Sequence, residues 1–303
     1  MKKAIVILGP TATGKTRTAA LVAKKTGGEV ISADSRQVYR GMDIGTGKDL
    51  GDYNVEGQAI PYHLIDIVDP GTEYNVFRFS RDFEKAGKEI EARGNRVVVC
   101  GGTGMYLEAV TRGYRLEEVP ENKALREELK DKALEELASI LKKLKKVHNI
   151  TDTTDTERAL RAIEIETYYK NNPRNKSGKP EYKTVIFGID LPRREIRERI
   201  TARLEQRLQQ GMIKEVENLL ESGITPKQLK FYGLEYRYIT EYLEGKYSYE
   251  EMFRLLNTAI HQFAKRQMTW FRRMEKRGNK ITWIDGKLSP EQRADLILEK
   301  LSC

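Results

Sequence analysis

Near the start of the chain stand Gly9, Pro10, Thr11, Ala12, Thr13, Gly14, Lys15 and Thr16, whose types and spacing suit the holding of phosphate. The pattern G-x-x-x-x-G-K-[ST] turns backbone N–H groups onto anionic oxygens, with Gly9 and Gly14 free to take conformations that a side chain blocks. Lys15 would add a point charge and the Thr16 hydroxyl a ligand for magnesium. To work, the loop needs rigid flanks. The apolar run Ile5, Val6, Ile7, Leu8 predicts a strand before it, and residues 18–23 predict a helix after it, whose positive dipole end adds to the cradle. The pattern alone does not choose the phosphate compound.

Two further strand ends carry chemistry. The apolar residues Val30, Ile31 and Ala33 predict a strand that ends in Asp34, Ser35, Arg36 and Gln37. A carboxylate at the carboxyl end of a parallel strand sits where such sheets bind substrates, so Asp34 is the leading candidate for a general base. Its alternative reading, with Ser35, is a helix N-cap. Residues 96–100 predict a buried strand, followed by Gly101, Gly102, Thr103 and Gly104. This second glycine-rich turn is either another anionic contact or a tight strand-to-helix turn. Residues 42–48 contain Gly45, Gly47 and Lys48 and either close over a ligand or form a plain turn. Asp66 reads as a magnesium ligand through water or as a loop cap, and His63, with no partner at metal-ligand spacing, as structural.

The 303 residues suggest about two domains, and 39% hydrophobic residues suffice for a core. Lys and Arg number 54 against 45 Asp and Glu, a net +9 that favours a polyanionic partner but also serves a solvated surface. Two cysteines, Cys100 and Cys303, give no disulfide framework and no metal spacing, which fits a reducing cytoplasm. The first apolar run is too short for a signal or membrane helix. Strand-loop-helix units through the first hundred residues predict an α/β fold, a parallel sheet flanked by helices. From 113 the pattern changes. Residues 125–146 and 155–169 predict helices, 171–180 a basic loop, and 184–189 a strand that rejoins the sheet. The organisation expected is a core of 1–112 and 184–303 with a helical insertion domain at 113–183.

The C-terminal part is expected to be mostly helical. Pro192 opens a helix where Arg193, Arg194, Arg197, Arg199, Arg203 and Arg207 alternate with glutamates, read as a solvated face with some positive excess. In 257–276, Lys265, Arg266, Arg272 and Arg273 interleave with Phe263, Trp270 and Phe271. Such a helix suits single-stranded RNA, or simply puts its aromatics in a core.

Five segments together resemble the tRNA dimethylallyltransferases: GPTATGKT from Gly9, ISADSRQVYRGMDIG from Ile31, HLID from His63, GGTGMY from Gly101 and AKRQMTWF from Ala264. They follow the family's order over nearly the whole chain. The resemblance implies a P-loop NTPase-like fold that moves a dimethylallyl group from dimethylallyl diphosphate to N6 of the adenosine just 3′ of a tRNA anticodon, with Mg2+. It implies a diphosphate leaving group in the cradle, with Lys15 meeting its charge, Asp34 as base and Thr103 hydrogen-bonding at the reaction centre. Contacts to the tRNA anticodon stem-loop carry over to Asp34, Ser35, Arg36, Gln37 and Thr103, and to Glu157, Arg158, Ala159, Leu160 and Arg161, with Arg126 in the preceding helix. No membrane partner and a monomer are expected. Two places depart from the family pattern: Gly47, where Ala is more usual, and Tyr232 with the residues through Arg237, a longer version of a GYKE-like segment. Lys230 and Arg237 are candidate phosphate partners there.

Overall fold

In the computed structural model the run Lys2–Leu8 forms β1, apolar and buried from Ala4 onward because it is covered on both sides there. Ala4, Val6 and Leu8 point into one hydrophobic cluster, Ile5 and Ile7 into the other. The structure describes residues 2–113, 119–144, 153, 155–172 and 180–302. Its contacts divide the chain into Met1–Tyr114 with Lys179–Cys303, and Arg115–Gly178.

In the larger unit, α1 (Lys15–Thr26) leads to β2 (Gly28–Ala33), the short hairpin β3 (Asn54–Val55) and β4 (Gln58–Ala59), and β5 (Tyr62–His63). Then come α2 (Val76–Ala92), β6 (Arg96–Gly101) and α3 (Gly104–Arg112). The second unit contributes α4 (Lys123–Leu129), α5 (Leu134–Leu144) and α6 (Thr156–Asn171). The chain returns as β7 (Tyr182–Asp190), α7 (Arg193–Gln209), α8 (Met212–Glu221), α9 (Pro226–Phe231), α10 (Leu234–Leu243), α11 (Tyr249–Lys276), β8 (Ile281–Asp285) and α12 (Pro290–Ser302). The six-stranded sheet has the order β5-β2-β6-β1-β7-β8 with every pairing parallel. Helices α1 and α12 cover one face through Ala19, Val22, Ala294 and Ile297. The other face lies under α2, α3, α7, α8, α10 and α11.

The register sets the site. Gly101 pairs with Leu8 on one side and with Ala33 on the other, so β1, β6 and β2 end level with one another. The segments after them, starting at Gly9, Gly102 and Asp34, therefore open side by side at the carboxyl edge of the sheet, where parallel α/β folds bind ligands.

One expectation needs correction. The helix expected over 125–146 is two helices, interrupted at 130–133, where the Glu136 side chain accepts from Ala133 N. Leu129 of α4 and Leu137 and Leu141 of α5 share one small core with Ala159, Ala162 and Ile163 of α6, which accounts for the apolar spacing running through the break. The C-terminal part is mostly helical as expected, and it adds β8, an edge strand with only Ile281 and Ile284 buried. Two apolar residues three apart do not resemble a strand until β7 is there to receive them.

Glu29 is the one acidic residue of β2 and is buried. It accepts from Arg93 Nε and Nη2 and from Asn95 Nδ2, each at 2.8 Å, and meets His63 Nε2 at 2.6 Å, which gives His63 the structural role expected of it. The Arg93 hydrogen bonds hold its pKa down to about 2, against 4.5 for a free glutamate. Because the folded value is the depressed one, the stabilisation is complete above pH 4.5 and lost as pH falls through 2. We expect Glu29→Gln to cost on the order of 3 kcal/mol at pH 7 in urea unfolding, with the gap to the parent protein closing between pH 4.5 and 2. A constant gap across that range would contradict this role.

Candidate active site

The loop over 9–16 leaves β1 and turns into α1 through two left-handed residues, Ala12 at φ 63° and Gly14 at φ 72°. Gly14 is the N-cap of α1, and the N–H groups of the first turn, from Gly14 to Arg17, have no partner within the helix. These form the cradle. The loop is fixed from both faces of the sheet. On one side the buried Arg293 of α12 donates from Nη1 to Thr13 O at 2.8 Å. On the other the buried Gln267 of α11 accepts from Thr11 N at 2.9 Å and donates from Nε2 to Gly102 O at 3.0 Å, tying the loop to the second glycine turn. Thr13 Oγ1 donates to Pro10 O at 2.9 Å and would lie 2.9 Å from a Cβ on Gly9.

Lys15 Nζ lies 3.4 Å from Pro10 O. Burial lowers its pKa, while Cys100 and Asp34 pull it back up. The Cys100 thiol beneath it is pushed up to about 12 by burial, despite Lys15 and a hydrogen bond with Thr16, and so stays protonated at neutral pH. It takes no part in nucleophilic chemistry.

Asp34 is not a helix N-cap. Residues 35–38 form a turn, and Asp34 Oδ1 accepts from Arg36 N at 2.9 Å, which fixes the carboxylate while Oδ2 has no protein partner among the described residues. Thr103 stands at the N-cap of α3 but does not cap it. Its Oγ1 accepts from Ser35 N at 3.0 Å and lies 3.4 Å from Ser35 Oγ, joining the DSRQ and GGTG turns. The tight approach explains Gly101, where an added Cβ would fall 2.3 Å from Ala33 O. Gln37 is spent on the fold: Oε1 accepts from Ser32 Oγ at 2.9 Å and Nε2 donates to Gly47 O at 3.0 Å.

The structure brings in groups that sequence patterning placed elsewhere. Of the α7 arginines, Arg203 and Arg207 turn inward instead of joining a solvated face, because Ile196, Ile200 and Leu204 pin that side of the helix to the core. Both pair with Asp49, Arg207 at 3.3 Å. They line a cleft over Thr11 and Ala12 together with Glu235 and an apolar wall of Ile200, Leu204, Met212 and Ile260. Burial lowers the pKa of Arg207 and raises that of Glu235. Gly47 makes room for this arrangement: it has φ 66°, and a Cβ there would lie 2.0 Å from Arg207 Nη2.

Residues 42–48 do not carry a cation to the ligand. Lys48 is buried, donating to Tyr39 O at 2.7 Å and Asp43 at 2.6 Å and pairing with Asp66. Asp66 is thereby a partner of Lys48. Glu215 of α8 anchors the segment by accepting from the N–H groups of Asp43, Ile44 and Gly45 at 2.8, 2.7 and 3.0 Å. Lys230 is paired with Glu244 at 2.6 Å and Arg237 with Glu241 at 3.5 Å, so neither offers an uncompensated charge. On α11 the aromatics divide between core and surface. Phe271 is core, while Lys265, Arg266 and Arg272 are exposed, and Arg273 stacks 3.8 Å from the Trp270 ring centroid.

Within the unit Arg115–Gly178, Arg126 grips Glu164 from Nε at 2.8 Å and Glu157 from Nη1 at 2.6 Å. Arg161 donates to Glu164 at 3.1 Å and to Val119 O at 2.8 Å. Arg158 is exposed and pairs with the N-cap Asp155. Ala159 is fully buried, with Leu160 packed against the same cluster, so these two build the helix's core face. The basic loop expected over 171–180 falls mostly outside the described residues.

Among the described residues no three His, Cys, Asp or Glu side chains gather as a metal site. The donor set here suits magnesium only as an ion shared between the Thr16 hydroxyl and the oxygens of a bound phosphate compound, the way magnesium keeps few protein ligands.

A parallel sheet with a phosphate loop after its first strand, a fixed carboxylate after the strand two places along and an arginine-lined cleft over the loop defines a P-loop-type α/β transferase. Comparison narrows this class. The family described as IPP transferase matches residues 37–274, and isopentenyl transferase matches 2–60. A tRNA dimethylallyltransferase 2 of Bacteroides fragilis is 56% identical over 98% of this chain and 97% of its own. The crystal structure of the full-length tRNA isopentenylpyrophosphate transferase of Bacillus halodurans superposes with a TM-score of 0.72 at 32% identity, covering 100% of this chain and 96% of that one. A eukaryotic dimethylallyltransferase captured acting on tRNA gives 0.80 at 25% identity, with 100% and 80% covered. The chain belongs to the IPP transferase family.

Proposed function

We propose that this enzyme transfers the dimethylallyl group of dimethylallyl diphosphate to N6 of the adenosine 3′-adjacent to the anticodon of tRNA. The observation that carries the reading is the level ending of β1, β6 and β2, which sets the phosphate cradle beside Asp34 and Thr103. The new bond joins N6 to the allylic carbon as that carbon's bond to oxygen breaks, and the diphosphate leaves with the electron pair. Lys15, Arg203 and the first-turn amides of α1 meet the charge that develops on it. Magnesium on Thr16 would add its own charge there. The N6 proton goes to Asp34 Oδ2, whose partner oxygen is held by Arg36 N. Ile200, Leu204, Met212 and Ile260 supply the apolar side of the cleft, which the dimethylallyl group would face. The target base must leave its stack to reach Asp34, at less cost in an anticodon loop than in a duplex.

The acceptor separates this reading from a free-nucleotide prenyltransferase. Labelled dimethylallyl diphosphate and Mg2+ should label an anticodon stem-loop with kcat/KM at least 100-fold above AMP. Preference for AMP, or γ-phosphate transfer from ATP with no prenyl transfer, would overturn it.

A further inference from the structure

Phe231 ends α9 with its side chain 67% exposed, the most exposed of the large apolar residues. A phenylalanine so placed buries little of its ring, which meets the edge of Tyr232, 6.1 Å between centroids, and the Arg36 guanidinium. Its position, however, is held firmly. The neighbouring Tyr232 is buried, packs edge-on against Tyr39 at 4.6 Å and accepts from Gly71 N. A complete capping box at Thr225 and Gln228 fixes the start of α9. The Arg36 guanidinium lies over the ring, 5.5 Å from its centroid, and no described carboxylate lies within ion-pair reach of Arg36. Arg36 belongs to the turn whose amide holds Asp34. A rigid, bare aromatic and an uncompensated planar cation thus stand beside the proposed base.

From this we infer that Phe231 and Arg36 form a stacking platform for an unpaired nucleobase next to the target adenosine. The inference rests on the reading above, in which an adenine is drawn out of a single-stranded loop to Asp34. The nucleotides on either side then lose a stacking neighbour, and an aromatic ring flanked by arginine is the surface that replaces one without regard to base identity. The net charge of +9 suits the phosphates between them.

An anticodon stem-loop carrying 2-aminopurine beside the target adenosine tests it by equilibrium fluorescence, which needs no turnover. Binding to the parent protein should change the emission. Phe231→Ala should weaken stem-loop binding about 10-fold, the order reported by removal of one stacking aromatic, and return the emission towards that of free RNA. Phe231→Trp should restore both. Because the ring is exposed, the alanine variant should keep its unfolding midpoint and its KM for dimethylallyl diphosphate. Unchanged stem-loop affinity in Phe231→Ala, or an equal loss in Phe231→Trp, would overturn the platform. If the parent protein binds the stem-loop with these effects but transfers no prenyl group, the functional reading fails and the platform stands. If it does not bind the stem-loop, both fall.

Discussion

Asp34→Asn is expected to lower kcat for prenyl transfer by 100- to 10,000-fold while leaving the KM for dimethylallyl diphosphate within a few-fold of the parent. The amide keeps the shape of the carboxylate and its Oδ1 still accepts from Arg36 N, so the turn survives the change. What is lost is the group that removes the N6 proton, and general-base assistance is worth about that range of rate. An exocyclic adenine amine is a weak nucleophile that becomes strongly acidic only as its new bond forms, so the loss should fall on the chemical step. Single-turnover kinetics with saturating donor and stem-loop read that step directly. A rate within about three-fold of the parent would remove Asp34 from the base role and leave it as a turn residue.

Lys15→Ala is expected to reduce kcat/KM for the donor by 100- to 1,000-fold, the scale of one preorganised charge at a departing group in a partly dry site. Burial lowers the Lys15 pKa, and a buried ammonium with an anion to meet costs less than one without. Inhibition by free diphosphate should weaken in the same variant, because product and transition state share the charge. This separates Lys15 from Asp34, whose replacement should leave diphosphate inhibition near its parent value. Unchanged diphosphate inhibition in Lys15→Ala would place the leaving group elsewhere.

The parts of the site legible in sequence are those where backbone conformation dictates residue type. Gly14 at φ 72° favours glycine and Gly101 against Ala33 O requires it, so the turns they build appear as spaced glycines after apolar runs. The strands β1, β2 and β6 are legible for a related reason: buried on both faces, they carry apolar runs, at 4–8 in β1, at Val30 and Ile31 in β2 and at 97–100 in β6. Side chains that reach the site from distant elements leave no such mark. Gln267 lies 256 residues from Thr11, and Arg293 280 residues from Thr13, in helices whose polar residues look like ordinary surface. Arg203 and Arg207 were hidden by the glutamates between them, since charge alternation along α7 does not tell which side of the helix faces the core; the apolar positions Ile196, Ile200 and Leu204 do. Lys48 shows the opposite error: a lysine in a glycine-rich segment suggests a mobile cation, yet this one is buried by Asp43, Asp66 and the Tyr39 carbonyl. Phe231 carried no signal, because an aromatic after Leu229 in a short helix reads as core until its exposure is seen.

The level carboxyl ends of β1, β6 and β2 would set a departing diphosphate and a proton-accepting carboxylate on either side of one reacting carbon–nitrogen pair. A crystal structure of the protein with an anticodon stem-loop and diphosphate tests it most directly. The account predicts the diphosphate on the amides of Gly14, Lys15 and Thr16, and the target adenine out of its stack with N6 in hydrogen-bond reach of Asp34. An adenine bound with N6 facing away from Asp34, or a diphosphate lying outside the loop over 9–16, would contradict it.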